Sequence, residues 1–424
     1  MIIIHHMNNY QYRPRALSRV VEQALRDHPV VVLVGARQTG KTTLVQHLPS
    51  ADRRVYLSLD DLDLLALAEQ RPADFLARAG RSATIDEIQR VPALLHEIKR
   101  EVDRSRRRGR FLLTGSANLL LMRTVSESLS GRAVYINLYP FVAAERRGEG
   151  TVPPWSDVLA VRRAAAVVDR LGAESTKRID WRRVVLTGGM PPAALARSAR
   201  ERASWFGGYV QTYLERDLRE LSQVSSIPDF RRLMRLAVHR VGQLLNQSEL
   251  GRDAGMSQAT THRYINLLET TFQVHRVPAF AVNRSRRLIK SPKLYWTDTG
   301  LAAHLADIFD LATLRSSPLG GALLENLVLA GLRAWAGTVT RATQITYWRT
   351  AGGSEVDFVV EAGGRALPVE VKSGTRVRTA ALRHIDMFLD EYSDRAPFGV
   401  VLFDTGEPVM LTRRIVGLPV GRFI

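Results

Sequence analysis

The sequence predicts an α/β protein: a parallel β-sheet covered by helices, then a winged-helix domain, then a mixed α/β domain. Short apolar runs alternate with amphipathic, helix-like segments from Tyr10 to Phe141, which is typical of parallel sheets. Three helix-like segments and an apolar strand follow between Ile227 and Pro278. Beyond Leu294 lie two β-type runs joined by a turn. The length of 424 residues accommodates about three domains of ordinary size.

The first domain is predicted to span residues 10–150 and to contain five strands. The predicted strands are Val30–Val34, Val55–Ser58, Ala83–Ile85, Phe111–Thr114 and Val134–Leu138. A helix is expected to begin at the Gly-Lys-Thr of residues 40–42, directly after the first strand. The segment Arg146–Pro154, rich in Gly, Glu, Arg and Pro, is expected to be a surface connection.

Residues 151–221 are predicted to be a helical connector, broken at Gly188–Pro192, where glycine and proline disfavour a helix. Residues 222–293 are predicted to be a winged helix-turn-helix domain. Gly255 supplies the turn, and Ser257 is placed to cap a third helix, Gln258–Thr270. The strand and the wing are expected at Phe272–Val277 and in the basic stretch Asn283–Lys293.

Residues 294–424 are predicted to form the mixed α/β domain. A helix is expected around Gly321–Trp335, before the two β-type runs. These runs, Val356–Val360 and Ala366–Val371, are joined by a turn at Ala362–Arg365, so a β-hairpin is expected.

The composition favours a polyanionic partner. Sixty Lys+Arg against 42 Asp+Glu give a formal net charge of +18, which attracts nucleic acid or anionic membrane surfaces. Only six of these basic residues are lysines, and a GC-rich genome alone could produce that arginine skew. The absence of cysteine excludes disulfides and thiolate metal sites. Apolar runs are shorter than a membrane span and the N-terminus lacks a secretory pattern, so a cytoplasmic protein without membrane contact is expected.

The segment from Gly35 to Thr42 fits the P-loop pattern G-x-x-x-x-G-K-[ST] between a predicted strand and a predicted helix. Backbone N–H groups of such a loop stabilise phosphate oxygens. The expected nucleotide contacts are Gly35, Ala36, Arg37, Gln38, Thr39, Gly40, Lys41, Thr42 and Thr43. Lys41 is expected to neutralise the β/γ-phosphates, and Thr42 to hold Mg²⁺.

Two further strand ends are expected to complete this site. Asp86 is predicted to hold Mg²⁺, and Glu87 to orient and activate the attacking water. Thr114 or Ser116, at the end of the next strand, is predicted to sense the γ-phosphate, although an ordinary strand-to-loop cap is the alternative. Arg132 is predicted to act as an arginine finger on a neighbouring subunit, with a surface salt bridge as the alternative.

Several motifs resemble those of prokaryotic AAA-type ATPases that carry a C-terminal domain of unknown function. They include Gly35–Thr42, Ile85–Pro92, Leu113–Ser116, Ser130–Arg132, Leu138–Phe141, Tyr209–Leu218, Ser291–Tyr295, Asp298–Leu301, Tyr347–Thr350 and Glu355–Phe358. The resemblance covers nearly the whole chain. It implies ATP binding, Mg²⁺ dependence and an AAA-like core that forms homo-oligomers, and it supplies no substrate.

The helix-turn-helix is predicted to contact DNA through polar residues of its third helix and arginines of the wing. These residues are Gln258, Thr260, Thr261, Arg263, Arg284, Arg286 and Arg287. The alternative is a winged helix that serves only as a packing or lid module.

Asp357 and the Glu370-Val-Lys372 sequence follow an order that resembles the PD-(D/E)xK nuclease (restriction-endonuclease-like) superfamily. Glu370 and Lys372 share a strand face, and the hairpin brings Asp357 beside them. Two carboxylates would hold Mg²⁺ or Mn²⁺ and Lys372 would assist the water, while Glu325 matches the superfamily's additional acid. The alternatives are a cross-strand ion pair or a nuclease fold without activity.

The leading hypothesis is an ATP-hydrolysing AAA-type protein that acts on DNA, coupling ATP turnover to DNA binding or remodelling and to metal-dependent cleavage. The first alternative is an ATP-dependent switch that controls a protein partner, with an inactive nuclease-like fold as its interaction surface. The second is a transcriptional regulator that binds DNA through the helix-turn-helix.

Overall fold

The computed structural model describes residues 12–116, 129–172, 179–214, 226–281 and 291–424. These residues form a five-stranded, a two-stranded and a six-stranded sheet with their helices. Among the helices of the described ranges, none is long and apolar enough to cross a membrane.

The five-stranded sheet is wholly parallel, with the order β2-β3-β4-β1-β5. Its strands are β1 Val30–Val34, β2 Val55–Ser58, β3 Ala83–Asp86, β4 Phe111–Gly115 and β5 Ala133–Asn137. The predicted parallel sheet is confirmed, and each predicted strand end lies within one residue of the observed one. Both faces of β1 are buried: Val30 and Val32 lie in one core, and Val31 and Leu33 in the other. Burial on both faces explains the uninterrupted apolar run.

Within the described residues, six helices accompany this sheet. They are α1 Leu17–Asp27, α2 Lys41–Gln46, α3 Leu62–Gln70, α4 Pro72–Ala77, α5 Leu94–Ser105 and α6 Ala143–Arg147. Helix α2 begins directly after the loop that leaves β1, as predicted. The carboxyl ends of the five parallel strands therefore share one edge with the N-terminus of α2.

The connector is helical, and its helices are short. They are α7 Trp155–Ala160, α8 Ala164–Gly172, α9 Trp181–Thr187, α10 Pro191–Ala194 and α11 Ala199–Gly208, followed by a π-helical turn, Tyr209–Leu214. The helix break predicted at Gly188–Pro192 is present. The buried carboxylate of Asp298 accepts the N–H groups of Gly189 (2.6 Å) and Met190 (3.0 Å), which the break would otherwise leave unpaired.

In the next segment, the described residues from 226 onward form three helices and a two-stranded antiparallel sheet. They are α12 Ile227–Val238, α13 Gln247–Asp253, α14 Gln258–Thr270, β6 Val274–Val277 and β7 Lys293–Trp296. Gly255 has φ +65° in the turn before α14, and the Ser257 side chain accepts the N–H of Thr260 as the N-cap. The predicted boundary between residues 293 and 294 falls inside β7.

The C-terminal sheet is mixed, with the order β12-β13-β11-β10-β9-β8. Its strands are β8 Thr343–Arg349, β9 Glu355–Ala362, β10 Arg365–Val371, β11 Gly399–Phe403, β12 Val409–Met410 and β13 Ile415–Pro419. The helices of this part are α15 Thr299–Leu305, α16 Leu311–Ser316, α17 Gly320–Ala336 and α18 Thr379–Glu391. Gly363 and Gly364, both with positive φ, form the predicted β9–β10 turn.

Candidate functional site

The P-loop curls tightly between β1 and α2. A Cβ atom on Gly35 would lie 2.3 Å from the carbonyl oxygen of Leu138, so only glycine fits. Gly40 has φ +89°, which also favours glycine. The Lys41 ammonium lies inside the loop and donates to the carbonyl oxygens of Gly35 (3.0 Å) and Ala36 (2.9 Å). Lys41 is therefore held at the centre of the predicted phosphate site.

Arg15, which the sequence analysis missed, supports the loop from outside. Its guanidinium donates to the carbonyl oxygen of Thr39 (3.0 Å) and forms a buried salt bridge with Glu145 (3.1 Å). The Thr39 hydroxyl donates to the carbonyl oxygen of Ala36 (2.8 Å). Gln38 has φ +63°, whereas Thr43 is exposed on α2. A lone arginine outside any motif gives no sequence signal for this role.

Asp86 is the acceptor at which three hydroxyl groups meet. The Oδ2 atom accepts from Thr42 (2.9 Å) and Tyr56 (2.6 Å), and Oδ1 accepts from Thr114. Burial, and then the adjacent Asp86 carboxylate, raise the pKa of Tyr56 above its ordinary value. Thr42 and Asp86 offer adjacent hard oxygen atoms, which fit Mg²⁺ in the predicted roles. Tyr56 lies on β2, and nothing in the sequence marked it.

Glu87 lies in a left-handed backbone conformation, φ +58°, directly after β3. Its N–H donates to the Thr114 hydroxyl (3.2 Å). The Gln89 amide donates both to the Glu87 carboxylate and to the Ser116 hydroxyl (2.9 Å). Thr114 and Ser116 are thus joined to the Asp86-Glu87 pair through short contacts. Gln89 is a third residue that the sequence analysis missed, although it lies in the Ile85–Pro92 motif.

Arg132 lies at the opposite edge of the sheet from the P-loop. It precedes β5, whose first residue pairs with Val30, whereas the P-loop follows Val34. At about 3.3 Å per residue the two edges are roughly 15 Å apart. The Arg132 guanidinium forms a two-pronged salt bridge with Asp103 (2.5 and 2.9 Å). Arg132 therefore does not reach the P-loop of its own subunit, and the finger in a neighbouring subunit stays a prediction.

The predicted DNA-contacting residues of α14 separate into two groups. Gln258 and Arg263 are exposed, and Thr260 is half-buried. Thr261 was expected to face a groove, but it is fully buried, and its hydroxyl donates to the carbonyl oxygen of Ser257 (3.0 Å). The prediction for Thr261 is wrong because this side chain packs toward Gly251, whose absent Cβ leaves room for it. Arg284, Arg286 and Arg287 lie outside the described residues.

The structure brings Asp357, Glu370 and Lys372 together at the adjacent ends of β9 and β10. The Asp357 carboxylate accepts the N–H of Val371 (2.8 Å), and the Asp357 N–H donates to Glu370 (3.4 Å). The Lys372 ammonium donates to Glu370 (2.6 Å). Burial, and then Asp357, raise the pKa of Glu370 to about 8. The expected shared face of Glu370 and Lys372 is therefore present.

Lys293 of β7 enters this cluster from the preceding segment. Its ammonium lies 2.6 Å from Glu355, 3.2 Å from Glu325 and 4.0 Å from Asp357, and its side chain is only 2% exposed. The Tyr295 hydroxyl also donates to Glu325. Burial, and then Asp357, raise the pKa of Glu325 to about 7. Lys293 is one of only six lysines and lies in the Ser291–Tyr295 motif, a signal that could have identified it.

The predicted metal set of Glu325, Asp357 and Glu370 does not fit a divalent cation in this arrangement. An ammonium group already lies against Glu325 and within reach of Asp357, and its positive charge opposes a second cation there. Across the part of the chain that the structure describes, no group of three His, Cys, Asp or Glu side chains could hold a metal ion. A Mg²⁺ or Mn²⁺ ion at this position is therefore not shown and stays a prediction.

Three family models match successive parts of the chain. One described as an AAA domain matches residues 27–146. Two described as domains of unknown function, DUF8612 and DUF4143, match residues 178–312 and 320–423. The AAA match covers the five-stranded sheet and its P-loop, so this part is a P-loop NTPase-like core of the AAA type.

Two curated mycobacterial relatives are similar over most of the chain. Uncharacterized protein Rv2008c of Mycobacterium tuberculosis (strain ATCC 25618 / H37Rv) is 34% identical over 355 residues, 83% of this chain and 72% of the relative. Uncharacterized protein Mb2031c of Mycobacterium bovis (strain ATCC BAA-935 / AF2122/97) gives the same values.

Among solved structures, similarity is lower. The Walker-type ATPase PABY2304 of Pyrococcus abyssi is 16% identical, with a TM-score of 0.41, over 70% of this chain and 99% of that one. The RuvB Holliday junction branch migration motor of Thermotoga maritima is 19% identical, with a TM-score of 0.27, over 62% of this chain and 87% of that one. Similarity at this level establishes no shared substrate or partner.

Proposed function

The chain belongs to the family of AAA-domain proteins that includes Rv2008c and Mb2031c and is an ATPase, and we propose that it couples ATP turnover to the binding of duplex DNA. The observation that carries the coupling is a contact between the P-loop and the helix-turn-helix segment. The Tyr209 hydroxyl lies 3.5 Å from the carbonyl oxygen of Arg37 and 3.2 Å from the Gln273 amide, which follows α14.

In this proposal each polar side chain of the P-loop site has a role in hydrolysis. Thr42 and Asp86 would hold a Mg²⁺ ion, which would supply charge neutralisation at the phosphates of ATP. Lys41, which donates to the loop carbonyls, would bind phosphate oxygens instead. Glu87 accepts the proton of the attacking water, and Gln89 keeps its carboxylate next to Ser116. Arg132 would complete the site of a neighbouring subunit in a homo-oligomer.

The helix-turn-helix supplies the proposed DNA contact. Gln258 and Arg263 are exposed in the first half of α14, where a recognition helix meets a DNA groove. Leu267 and Leu268 of the same helix are buried, so one face of α14 packs in the core while the other is open to a partner. Because Tyr209 contacts both the P-loop backbone and Gln273, a change in the loop on nucleotide binding alters the packing beneath α14.

The test of this proposal is ATP turnover with and without duplex DNA. Addition of DNA is expected to raise kcat, and Gln258→Ala/Arg263→Ala is expected to remove the stimulation while leaving DNA-free turnover intact. Arg252→Ala/Arg235→Ala, two exposed arginines on α13 and α12, is the matched control. Unchanged turnover with DNA, and no binding that weakens with salt, would contradict the proposal and leave the ATPase standing. A strong preference for one sequence over random competitor DNA would favour a transcriptional regulator.

A second candidate is an ATP-dependent switch that controls a protein partner, with the C-terminal domain as an inactive nuclease-like interaction surface. The observation that favours it is the Lys293 ammonium among the carboxylates, which suits an ion-pair network rather than metal-dependent cleavage. Duplex and branched DNA incubated with Mg²⁺ or Mn²⁺ distinguishes the two. Strand cleavage that Asp357→Ala abolishes while ATP turnover continues would contradict an inactive fold.

A further inference from the structure

The edge of the five-stranded sheet opposite the P-loop is rich in exposed arginines. Because all five strands are parallel, the segments that enter them gather at this edge. We define the basic edge as residues 26–29, 51–54, 78–82 and 104–110. Its exposed arginines are Arg26, Arg53, Arg78, Arg81, Arg104, Arg106, Arg107 and Arg108.

Hydrogen bonds show that the segments of the basic edge form one continuous surface. The Gly109 N–H donates to the carbonyl oxygen of His28 (2.8 Å), joining the entries of β4 and β1. The Arg54 guanidinium donates to the carbonyl oxygen of Gly109 (2.7 Å), and the Ser82 hydroxyl to that of Arg53 (2.9 Å). The arginines therefore share a surface although they are spread over more than 80 residues of sequence.

Nearby acids neutralise only a small part of this charge. Glu101 is paired with Arg110, and Asp103 with Arg132. Asp27 and Asp52 are the remaining exposed acids of the basic edge as the structure describes it. Within the described ranges, the arginines at 104, 106, 107 and 108 form no salt bridge with an acid. The surface thus carries a concentrated positive charge.

Helix stabilisation accounts for only two of these arginines. Arg26 and Arg104 lie in the last turns of α1 and α5, where a cation offsets the helix dipole. Arg106 follows the end of α5 with φ +40°, and Arg107 and Arg108 continue into an exposed loop. Because these arginines are exposed and, within the described residues, do not pair with acids, their charge is available to an anionic partner.

We propose that the basic edge binds the phosphodiester backbone of duplex nucleic acid, as a second contact surface besides the helix-turn-helix. Guanidinium groups bind phosphates with paired hydrogen bonds, and contacts to phosphates carry no base-sequence information directly. This inference rests on the proposed DNA-dependent function and extends it. It gives the AAA core a surface that binds duplex without regard to base sequence, at the edge of the sheet opposite the nucleotide site.

The test compares duplex binding by the full chain and two matched variants. The edge variant is Arg104→Ala/Arg106→Ala/Arg107→Ala/Arg108→Ala. The control variant removes four exposed arginines of the connector, Arg162→Ala/Arg163→Ala/Arg197→Ala/Arg200→Ala. Circular dichroism and thermal unfolding establish that both variants fold. Random duplex of 40 base pairs is titrated at several salt concentrations, and phosphatidylserine vesicles serve as a second polyanion.

The edge variant is expected to lose at least tenfold in affinity at low salt, and the slope of log K against log salt is expected to flatten by about 3 to 4, at roughly 0.9 per lost phosphate contact. The control variant is expected to bind as wild type does. Wild-type affinity and slope in the edge variant, or equal losses in both variants, would overturn the inference while the helix-turn-helix proposal stands. No duplex binding by the wild type would overturn both. Tighter binding to the vesicles than to the duplex would assign the basic edge to membranes instead.

Discussion

Asp86 and Glu87 are adjacent in sequence but have different surroundings. Asp86 ends β3 in extended conformation and accepts three hydroxyl groups, which fixes its carboxylate. Glu87 turns away through a left-handed conformation and meets Gln89 instead. The fixed carboxylate of Asp86 suits the predicted role of holding a metal ion. The Glu87 carboxylate, which has fewer partners, suits the predicted role of a base that contacts water.

Gln89 is predicted to be a positioning residue for Glu87. Gln89→Ala is expected to lower kcat for ATP by about 10- to 100-fold, the worth of a hydrogen bond to a charged group, with KM little changed. Gln243→Ala, on an exposed glutamine, is the control. Steady-state turnover and nucleotide affinity, measured on the same preparations, check this. An equal rise in KM without a change in kcat would assign Gln89 to ATP binding instead.

At the residue scale the sequence predicts the P-loop well, because the backbone conformation of the loop itself restricts which residue type fits at its key positions. Gly35 and Gly40 are required by close approach and positive φ, and these requirements are visible in the motif. Arg15, Tyr56 and Gln89 are different because their roles depend on strands and helices that meet only in three dimensions. Thr261 was misassigned for the same reason: helical spacing alone did not reveal the neighbouring Gly251.

Strand β7 connects the segment that contains α12, α13 and α14 to the C-terminal sheet through the Lys293 side chain. Its buried ammonium is partnered by carboxylates of α17 and β9. Removing one member of such a group leaves the others charged and unpaired, which destabilises more than an exposed ion pair does. The network therefore fixes the position of β7 against the sheet.

Lys293→Met is expected to destabilise the fold by about 3–5 kcal/mol near neutral pH. The loss should be smaller at acidic pH, because the pKa of Glu325, a partner of Lys293, is raised to about 7, so this carboxyl is neutral below that pH. Denaturant unfolding on both sides of this pH checks the expectation, with Lys99→Met as the control. A deficit that grows on acidification would contradict it.

His275 of β6 is predicted to make stability pH-dependent. Burial, and then Arg333, lower the pKa of His275 well below 6.5, so it stays neutral in the folded chain beside the Thr297 hydroxyl. The unfolded chain binds a proton below about pH 6.5, so the contribution of His275 to stability is present above that pH and is lost as the pH falls.

The unfolding free energy of the wild type is expected to fall as the pH is lowered from about 7 to 5. His275→Gln is expected to reduce the slope of this fall by up to roughly 1.4 kcal/mol per pH unit. His239→Gln, on an exposed histidine, should leave the profile unchanged. Parallel profiles for His275→Gln and wild type would show that the imidazole already titrates in the fold.

Strands and helices were predictable from the sequence where their buried residues form a clear pattern. The five parallel strands read as apolar runs because both of their faces are buried, and the α14 boundaries follow from its serine cap and its apolar face. The short connector helices were not resolved individually, because their ends are set by contacts such as Asp298 with Gly189, more than 100 residues away in sequence. The Lys293 side chain of β7 reaches the carboxylate cluster, and the only local sequence signal for this contact is that lysine is rare in this chain.

At the scale of the whole molecule, the AAA core touches the rest of the chain near the end of β5. The Arg333 guanidinium donates to the Tyr139 hydroxyl (3.0 Å), and the His275 ring lies edge-on to Tyr139 with ring centroids 6.0 Å apart. One tyrosine after β5 thus meets α17 and β6.

Arg132 is predicted to act between subunits. Arg132→Ala is expected to lower ATP turnover strongly, and Lys41→Ala to abolish it. A mixture of the two variants should regain activity, because the intact finger of one subunit serves the intact P-loop of the other. Asp103→Ala, which removes only the salt-bridge partner, is the control. Wild-type turnover in Arg132→Ala would reduce this residue to a surface ion pair.

The most direct test of the central claim is the ATP turnover of the full chain across a titration of random duplex DNA, with Glu87→Gln reporting turnover that does not arise at this site. Coupling predicts a saturable rise in kcat that high salt suppresses and that Glu87→Gln lacks. A turnover rate that stays constant while the duplex is demonstrably bound would contradict the coupling of this ATPase to DNA.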